Sequence, residues 1–406
     1  MKIAVMVRGA IPAPPPTDVV YAPIDVATTI AKGIAKKGHK VDFYAPVGSQ
    51  LGLLVHTKTR RLRALVRNQE DLQSLTESND LMTHYMPGLW DHYLALEMFK
   101  RAARGEYDLL HFHHPESVIS LASLFPNVPV VYTLHDSLHN WHPEIFKRFF
   151  SRNQHCISLS DSQRALAPEL PYAATVYNGI SPRSWQFSEK PDDYLLFAGR
   201  VTPEKGIKEA VDIARNTNER LVIIGPLQNS QHQHYFKKHV EPYLNERITY
   251  LGCKTQQEMK IYFQKAKALL MPIKWEEPFG MTMVEAMACG TPVIALKRGS
   301  VPEIVKNGIT GFVVDTVGQM EQAIKKIGDI DRHACREHVL ANFSVSKMVQ
   351  GYEKTFQTIM EESRLAKPAL LRRALPGNLY NTVHAQQTLL RLPGRNGGLP
   401  DLPSQL

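Results

Sequence analysis

Short apolar segments alternate with amphipathic helical patterns along most of this 406-residue chain. Such alternation is typical of βαβ units, in which parallel strands form a sheet and the connecting helices cover its faces. The pattern begins anew after a polar stretch that starts with the turn signals Asn178-Gly179 and Ser181-Pro182. The predicted strands are 2–7, 40–45, 108–113, 128–134, 155–159 and 174–177 before this stretch, and 194–198, 220–224, 247–251, 268–273, 292–296 and 311–314 after it. The sequence therefore predicts a parallel α/β architecture of two similar domains with a cleft between them.

The length of the chain is too great for one hydrophobic core and fits two domains of ordinary size. We predict the first domain at residues 1–180 and the second at 181–343. Apolar residues at helical spacing predict a long helix at about 344–363. The remaining segment, 364–406, is basic and rich in Leu, Pro and Gly, so we expect it to be disordered.

The net charge of +9 is concentrated in the tail and in segment 58–67. Local patches of this kind do not predict a nucleic-acid-binding protein. Segment 58–67, which includes Arg61, could be an amphipathic surface that meets anionic lipid, a solvated helix face or a loop that grips an anionic acceptor. The cysteines are scattered, and no segment reaches membrane-spanning length. We expect a cytoplasmic protein that could be peripheral at the inner face of the membrane.

Two carboxylates flank a predicted helix start in the second domain. Glu277 lies on the loop before the helix and Glu285 lies inside it. A helix that begins near Gly280 presents free amides and the positive end of its dipole, which suit an anion. The strands 268–273 and 292–296 complete a βαβ unit, whose ligands bind at the carboxyl ends of the strands. Acceptors for sugar hydroxyls beside amides for phosphate indicate a sugar-nucleotide pocket.

A second motif, residues 199–206, follows the strand 194–198 and opens a helix. Arg200 and Lys205 in this motif could neutralise a pyrophosphate, because Arg binds in a bidentate fashion and Lys supplies a point charge. The alternative is that Arg200 pairs with Glu204 on a solvated loop. No Asp-x-Asp pair offers a metal site, so the hypothesis is charge compensation by Arg, Lys and the helix dipole.

These motifs resemble those of the retaining GT-B glycosyltransferases of family 4, also called glycosyl transferases group 1. The matching segments are Gly-Arg-x-x-x-Glu-Lys-Gly at 199–206, Glu-Pro-Phe-Gly-x4-Glu-Ala-Met-Ala-x-Gly-Thr-Pro-Val-Ile at 277–294, Gly-Ser-Val-Pro-Glu-Ile-Val at 299–305 and Gly-x-Thr-Gly-Phe-Val-Val at 308–314. The resemblance covers about residues 1–363. It implies an α/β fold of the GT-B type, in which two Rossmann-like, doubly wound domains face each other across a cleft. The last long helix of this fold crosses back onto the first domain.

The resemblance also implies a reaction, the transfer of a sugar from a nucleoside-diphosphate sugar to an acceptor hydroxyl with retention, without a metal or other cofactor. Arg200 and Lys205 would bind the donor diphosphate. Glu277 would contact hydroxyls of the donor sugar, and Glu285 would hold the ribose. The surrounding loop would hold phosphate and sugar, chiefly through backbone amides, and comprises Pro278, Phe279, Gly280 and Met281.

In the first domain, His135 follows a strand end, as does the family histidine that reaches the donor sugar, and His113 is a second-rank candidate. The family's usual Gly-Gly pair after the first strand is replaced here by Tyr-Ala-Pro-Ile-Asp. Pro23 has no N–H, and Ala22 resists positive φ. We therefore expect weak or altered donor binding at this loop, where Gly9 or the amide of Ala22 could substitute.

The predicted donor is a UDP-sugar in preference to a GDP-sugar. The acceptor, which could be a glycan, a lipid-linked molecule or a small molecule, would bind the first domain. A nicotinamide dehydrogenase is disfavoured because no GxGxxG motif follows the first strand. A GT-B epimerase or phosphorylase and a non-catalytic sugar-nucleotide-binding protein stay open as alternatives.

Overall fold

The structure is a computed structural model that describes residues 1–19, 21–78, 80–138 and 141–373. Each half of the chain forms one parallel sheet. The strands, numbered along the chain, are β1 (Lys2–Met6), β2 (Lys40–Tyr44), β3 (His56–Lys58), β4 (Leu109–Phe112), β5 (Val130–Thr133), β6 (Gln154–Ser158), β7 (Tyr172–Thr175), β8 (Leu195–Ala198), β9 (Leu221–Ile224), β10 (Ile248–Tyr250), β11 (Ala268–Met271), β12 (Val293–Leu296) and β13 (Gly311–Val314). The first sheet has the order β3-β2-β1-β4-β5-β6-β7 and the second β10-β9-β8-β11-β12-β13. The predicted two-domain α/β architecture is confirmed.

The strand order of each sheet changes direction beside the first strand of that half. β1 pairs with β2 on one side and β4 on the other, and β8 pairs in the same way with β9 and β11. Open α/β sheets bind ligands beyond the carboxyl ends of their strands at such a switch point. In the second domain the loops after β8 and β11 carry the motifs 199–206 and 277–294. The topology therefore brings together two motifs that are distant in the sequence.

The helices cover both faces of these sheets. They are α1 (Ala22–Lys36), α2 (Gln69–Glu77), α3 (Leu81–Ala103), α4 (Ile119–Ala122), α5 (Trp141–Phe149), α6 (Asp161–Ala165), α7 (Ile207–Thr217), α8 (Ser230–His239), α9 (Gln256–Lys265), α10 (Met281–Ala288), α11 (Val301–Ile304), α12 (Val317–Ile324), α13 (Arg332–Asn342) and α14 (Val345–Arg373). Within the described ranges, none of them has both the length and the apolar character needed to cross a bilayer.

The last helix, α14, packs on the first domain although it follows the second in the sequence. Its side chains Tyr352, Phe356 and Ile359 are buried in a core that also includes residues of β1 and α1. Gly33 on α1 makes room for Val349 of α14, because a Cβ at position 33 would lie 2.2 Å from Cγ2 of Val349. The predicted crossing helix is thus present.

The end of α14 differs from the prediction. Residues 1–360 form one compact unit, which ends within this helix. The helix continues beyond residue 363 to Arg373, so the start of the segment predicted to be disordered is helical. The rest of that predicted tail, 374–406, lies outside the described residues.

Segment 58–67 is not a helix. It begins at the end of the short strand β3, which the sequence analysis missed because its polar residues show no apolar alternation, and continues as turns. Three of its cations, Lys58, Arg60 and Arg67, pair with carboxylates of the first domain. Nζ of Lys58 lies 3.7 Å from Oδ2 of Asp42, and Nε of Arg67 lies 2.8 Å from Oδ2 of Asp71.

Candidate active site

The loops after β8 and β11 meet through Lys205 and Glu277. Nζ of Lys205 lies 2.6 Å from Oε2 of Glu277, and both side chains are mostly buried. The indole Nε1 of Trp275 donates to the same carboxylate oxygen at 3.1 Å, and Nζ of Lys205 lies 4.6 Å from the centroid of the Trp275 ring. Gly206 permits this approach, since a Cβ at that position would lie 1.9 Å from the carbonyl oxygen of Pro272. The structure thus brings Lys205 and Glu277, two of the predicted site residues, into direct contact, and Trp275 orients the Glu277 carboxylate.

The Glu277 loop is held in place by residues 299 and 300. Gly299 has φ 51°, and a Cβ there would lie 2.3 Å from the backbone nitrogen of Glu277. The amide of Ser300 donates to the carbonyl of Glu277 at 2.9 Å, and its hydroxyl donates to the carbonyl of Phe279 at 2.8 Å. The sequence analysis recognised the 299–305 motif without assigning this supporting role, because the contact joins loops from different strands.

The helix α10 begins directly after this loop. Gly280 is its N-cap residue, with φ 77°, and offers no side chain to cap the helix. The side chain of Phe279 is buried and contacts the rings of Tyr177 and Phe343, so it supports the loop. Pro278, which precedes it in the sequence, is buried, and Met281, which is half-buried, is the first residue of α10. An uncapped helix N-terminus next to Lys205 is suited to bind phosphate.

Glu285 lies on α10 and faces the first domain. Burial, reinforced by the negative charge of Asp25, raises the pKa of Glu285 to about 7. Asp25 lies in the first turn of α1, the helix that follows β1. α1 and α10 therefore approach each other closely enough for these two carboxylates to interact. The sequence analysis did not single out Asp25.

Arg200 occupies a neighbouring position. It is half-buried on the loop after β8, and among the described residues it makes no ion pair, so the alternative pairing with Glu204 is absent. Its charge helps burial to lower the pKa of His232, which lies in the first turn of α8. A Cβ at Gly225 would lie 1.7 Å from the carbonyl oxygen of Gly199, so the β8 and β9 loops are also in close contact.

Histidines line the first-domain side of the switch point. Nδ1 of His113 is hydrogen-bonded to Nε2 of His135 at 2.8 Å. Behind them, Nε2 of His111 is bonded to the hydroxyl of Thr133 at 2.8 Å. Burial lowers the pKa of His135 to about 3, and it also lowers the pKa of His113 well below its ordinary value. Of His111, His113 and His135, only His135 has a partly exposed side chain. His113 therefore lies behind His135 and not at the surface of the cleft.

Of the two amides suggested as replacements for the missing Gly-Gly pair, one is already engaged. The Gly9 amide donates to Oδ1 of the buried Asp91 at 2.5 Å, so its N–H already has an acceptor within the first domain. Ala22 is the first residue of α1, after the N-cap Tyr21, whose side chain does not cap the helix. Within the described ranges the Ala22 amide has no acceptor, which leaves it as the remaining candidate. The Gly9 contact could not be read from the sequence, because Asp91 is on α3.

Within the described residues, Arg61 makes no hydrogen bond or ion pair with these site residues. It lies on the exposed turn after β3. In the described part of the chain, no three His, Cys, Asp or Glu side chains converge as a metal-ligand group.

Two family models match this chain in succession. Residues 25–184 match Glycosyltransferase Family 4, and residues 182–333 match Glycosyl transferases group 1. Among curated relatives, the N-acetyl-alpha-D-glucosaminyl L-malate synthase of Bacillus anthracis is 24% identical over 387 residues, covering 84% of this chain and 95% of the relative. The D-inositol 3-phosphate glycosyltransferase of Pseudarthrobacter chlorophenolicus is 33% identical over 129 residues, 30% of each chain.

Solved structures share the fold. Sucrose-phosphate synthase from Thermosynechococcus elongatus has a TM-score of 0.70 at 17% identity, covering 89% of this chain and 100% of the other. Anabaena HepE, solved in complex with UDP-glucose, has a TM-score of 0.63 at 18% identity, covering 88% of this chain and 100% of the other. With both family models matched in order across two facing parallel sheets, the chain belongs to the family 4 glycosyltransferases of the GT-B fold.

Proposed function

We propose that this glycosyltransferase moves a sugar from a UDP-sugar to an acceptor hydroxyl, with retention of the anomeric configuration and without a metal ion. The observation that carries the proposal is the Lys205–Glu277 pair at the switch point, 2.6 Å apart beside the uncapped start of α10. HepE, a neighbour of the same fold, is solved with UDP-glucose, which supports a UDP-sugar over a GDP-sugar.

In the proposed reaction the bond between the anomeric carbon and the β-phosphate oxygen breaks, and its electron pair leaves with UDP. The acceptor oxygen forms its bond to the anomeric carbon on the same face, and its proton passes to a β-phosphate oxygen. Lys205, Arg200 and the start of α10 stabilise the charge that develops on the diphosphate. When the donor binds, the Glu277 carboxylate gives up its ion pair with Lys205 and accepts hydrogen bonds from the sugar hydroxyls. The Glu285 carboxylate accepts a hydrogen bond from a ribose hydroxyl.

The neutral His135 contacts the donor sugar in this scheme. Its low pKa excludes a role as a charged acid near neutral pH, so it acts through a hydrogen bond. The Ala22 amide takes the place of the missing Gly-Gly amides at the diphosphate. The proposal that no metal ion is required rests on these cationic and dipolar groups, which stabilise the charge of the diphosphate. Activity should therefore persist in excess EDTA.

The test is release of UDP from a panel of UDP-sugars, with and without candidate acceptors. We expect Lys205→Ala to lower kcat/KM by about 100-fold to 1,000-fold, the range measured when one charge-stabilising donor is removed. Lys208→Ala is the matched control, since Lys208 is more exposed and pairs with Asp212. Equal activity of the two variants would contradict the role of Lys205.

Two further outcomes would change the proposal. UDP-sugar binding without turnover over a broad acceptor panel would favour a non-catalytic sugar-nucleotide-binding protein. Release of product with inverted configuration, read from the anomeric proton by NMR, would exclude the retaining mechanism.

A further inference from the structure

The helix α3 has an apolar stripe on its outer face. Tyr85, Leu89, Tyr93 and Leu96 are 63%, 53%, 50% and 37% exposed. Their spacing of four, four and three residues places them on one side of the helix. With a rise of about 1.5 Å per residue, the stripe is roughly 16 Å long. Contiguous apolar surface of this kind marks a binding face more often than scattered exposed residues do.

This stripe is separate from the face by which α3 joins the domain. Leu94, Met98 and Phe99 on the inner side are completely buried in the core of the first domain. The outer stripe is therefore not needed to hold the helix in place. Polar residues at these positions would be the ordinary choice for a surface helix.

Arginines of a neighbouring turn lie beside the same helix. An arginine-bearing turn, residues 60–63, is attached to α3 at two points: Arg60 pairs with Glu97 at 3.1 Å, and the indole of Trp90 donates to the carbonyl of Arg63 at 2.8 Å. Arg61 and Arg63 are exposed, and neither forms an ion pair with any described residue. Unpaired cations therefore flank the apolar stripe.

This combination fits an anionic bilayer surface. Tyrosines and aliphatic side chains partition into the headgroup boundary, while arginines are attracted to anionic headgroups. A second copy of the chain suits the surface less well, because a symmetric contact through this helix would bring the unpaired arginines of both copies together. Lys58 and Arg67, which the basic segment also includes, are already neutralised by Asp42 and Asp71.

We propose that the outer face of α3 and the turn 60–63 form a docking surface for anionic lipid. The inner side of the same helix carries Asp91, which holds the loop after β1 through the Gly9 amide and through Arg8, 3.0 Å away. α3 thus lies between the docking surface and the cleft edge of the first domain. Docking would place that edge close to the membrane.

The experiment is co-sedimentation of the full chain with vesicles of phosphatidylcholine, with or without phosphatidylglycerol. We expect sedimentation with the anionic vesicles only, weakened by added salt. Leu89→Glu/Tyr93→Glu should reduce binding by at least about tenfold, because it removes apolar insertion and adds repulsion. Arg61→Ala/Arg63→Ala should reduce it by about thirtyfold, given roughly fivefold to sixfold per lost cation.

Matched controls come from exposed residues elsewhere. Leu124→Glu changes a 72% exposed leucine of the same domain, and Lys237→Ala/Lys238→Ala removes two exposed cations from α8. Both controls should bind vesicles like the unaltered chain, and circular dichroism melting checks that every variant is folded. Equal binding to neutral vesicles, or full binding by both α3-surface variants, would overturn the proposal. A dimer that Leu89→Glu/Tyr93→Glu dissociates, without vesicle binding, would assign the surface to a second copy instead.

Discussion

The hydrogen bond between His113 and His135 limits which nitrogen of His135 carries a proton. Nε2 of His113 is buried and has no hydrogen-bond partner among the described residues. A buried N–H without an acceptor is rarer in proteins than an unpaired lone pair. We therefore infer that His113 carries its proton on Nδ1 and donates it to Nε2 of His135. The neutral His135 then has its proton on Nδ1, where it can donate to a substrate hydroxyl.

We predict that His113→Phe changes this tautomer, because a phenyl ring fills the space but donates no hydrogen bond. In the unaltered protein, ¹⁵N NMR of His135 should show a protonated Nδ1 and an unprotonated Nε2. The variant should shift toward the Nε2–H form and lose about tenfold in kcat, with a smaller change in KM. His234→Phe, which changes an exposed histidine of α8, is the control. A protonated Nε2 of His135 in the unaltered protein would refute the assignment.

The raised pKa of Glu285 predicts a pH-dependent stability. Burial and the charge of Asp25 bring this pKa to about 7, above the ordinary value of a glutamate. As pH rises, the unfolded state therefore releases this proton first, and Glu285 lowers stability between about pH 4.5 and pH 7. Glu285→Gln has no titrating carboxyl group at this position. The Tm of the variant minus the Tm of the unaltered protein should therefore be roughly 2 °C larger at pH 8 than at pH 5.

The measurement is thermal unfolding across this range, with the exposed Glu337→Gln as control. A Tm difference between Glu285→Gln and the unaltered protein that stays constant with pH would show that Glu285 titrates normally. In the presence of UDP, the same variant should bind more weakly if the carboxylate holds the ribose.

At the scale of helices and strands, the sequence predicted what local patterns encode. Each predicted strand is present because a buried parallel strand needs a run of apolar residues. The short strand β3 has a polar sequence and was missed. Helical spacing predicts a helix at 91–104, whereas α3 begins ten residues earlier, at Leu81, with Pro87 inside it. The exposed apolar residues on its outer face weaken the amphipathic pattern from which the start of this helix was predicted.

The candidate site divides in the same way. The meeting of Lys205 and Glu277 was predictable, because carboxyl ends of neighbouring parallel strands share one edge of the sheet. Asp91 taking the Gly9 amide was not predictable, and neither was Ser300 holding the Glu277 loop. Those contacts join residues that are distant in the sequence, and their distance in space depends on how all the elements of one domain pack.

The contact between α1 and α14 leads to a packing prediction. A Cβ at Gly33 would lie 2.2 Å from Cγ2 of Val349, so Gly33→Ala should lower the free energy of unfolding by about 1–3 kcal/mol. Val349→Ala removes the clashing methyl groups, and the double variant should recover part of the loss. Gly88→Ala is the control, since nothing lies within 4 Å of its Cβ position. Chemical denaturation measures each variant, and equal stability of Gly33→Ala and Gly88→Ala would refute this close approach.

At the scale of the whole molecule, carboxylates of each domain bind backbone amides of the other. Glu303 on α11 accepts from the amides of Asp161 and Ser162 at the start of α6, each at 2.8 Å, and from the hydroxyl of Tyr177 at 2.8 Å. Conversely, the Glu77 carboxylate of the first domain, at the end of α2, accepts a hydrogen bond from the amide of Ser230 at the start of α8 in the second domain. A carboxylate at a helix start is favourable because it meets free amides and the positive end of the dipole. These reciprocal contacts hold the two sides of the donor cleft together.

Glu303→Ala should therefore weaken donor binding from a distance. In the proposed donor cleft, Glu285 lies on one domain and Asp25 with His135 lies on the other, so a looser arrangement of the domains must close before the donor binds. If the lost hydrogen bonds are worth about 1.4 kcal/mol, the Kd for UDP should rise by up to about tenfold. Small-angle scattering of the ligand-free variant should give a larger radius of gyration, which UDP restores.

The exposed Glu246→Gln in the second domain is the control, and Tyr177→Phe, which removes one of the three hydrogen bonds, should give a smaller change. Calorimetric titration with UDP measures the affinities, and kcat at saturating donor should stay close to that of the unaltered protein because Glu303 does not touch the reacting atoms. A Kd and a radius of gyration that both match the unaltered protein would mean that Glu303 supports only its own loop. An increased radius with an unchanged Kd would mean that donor binding does not require the closed arrangement.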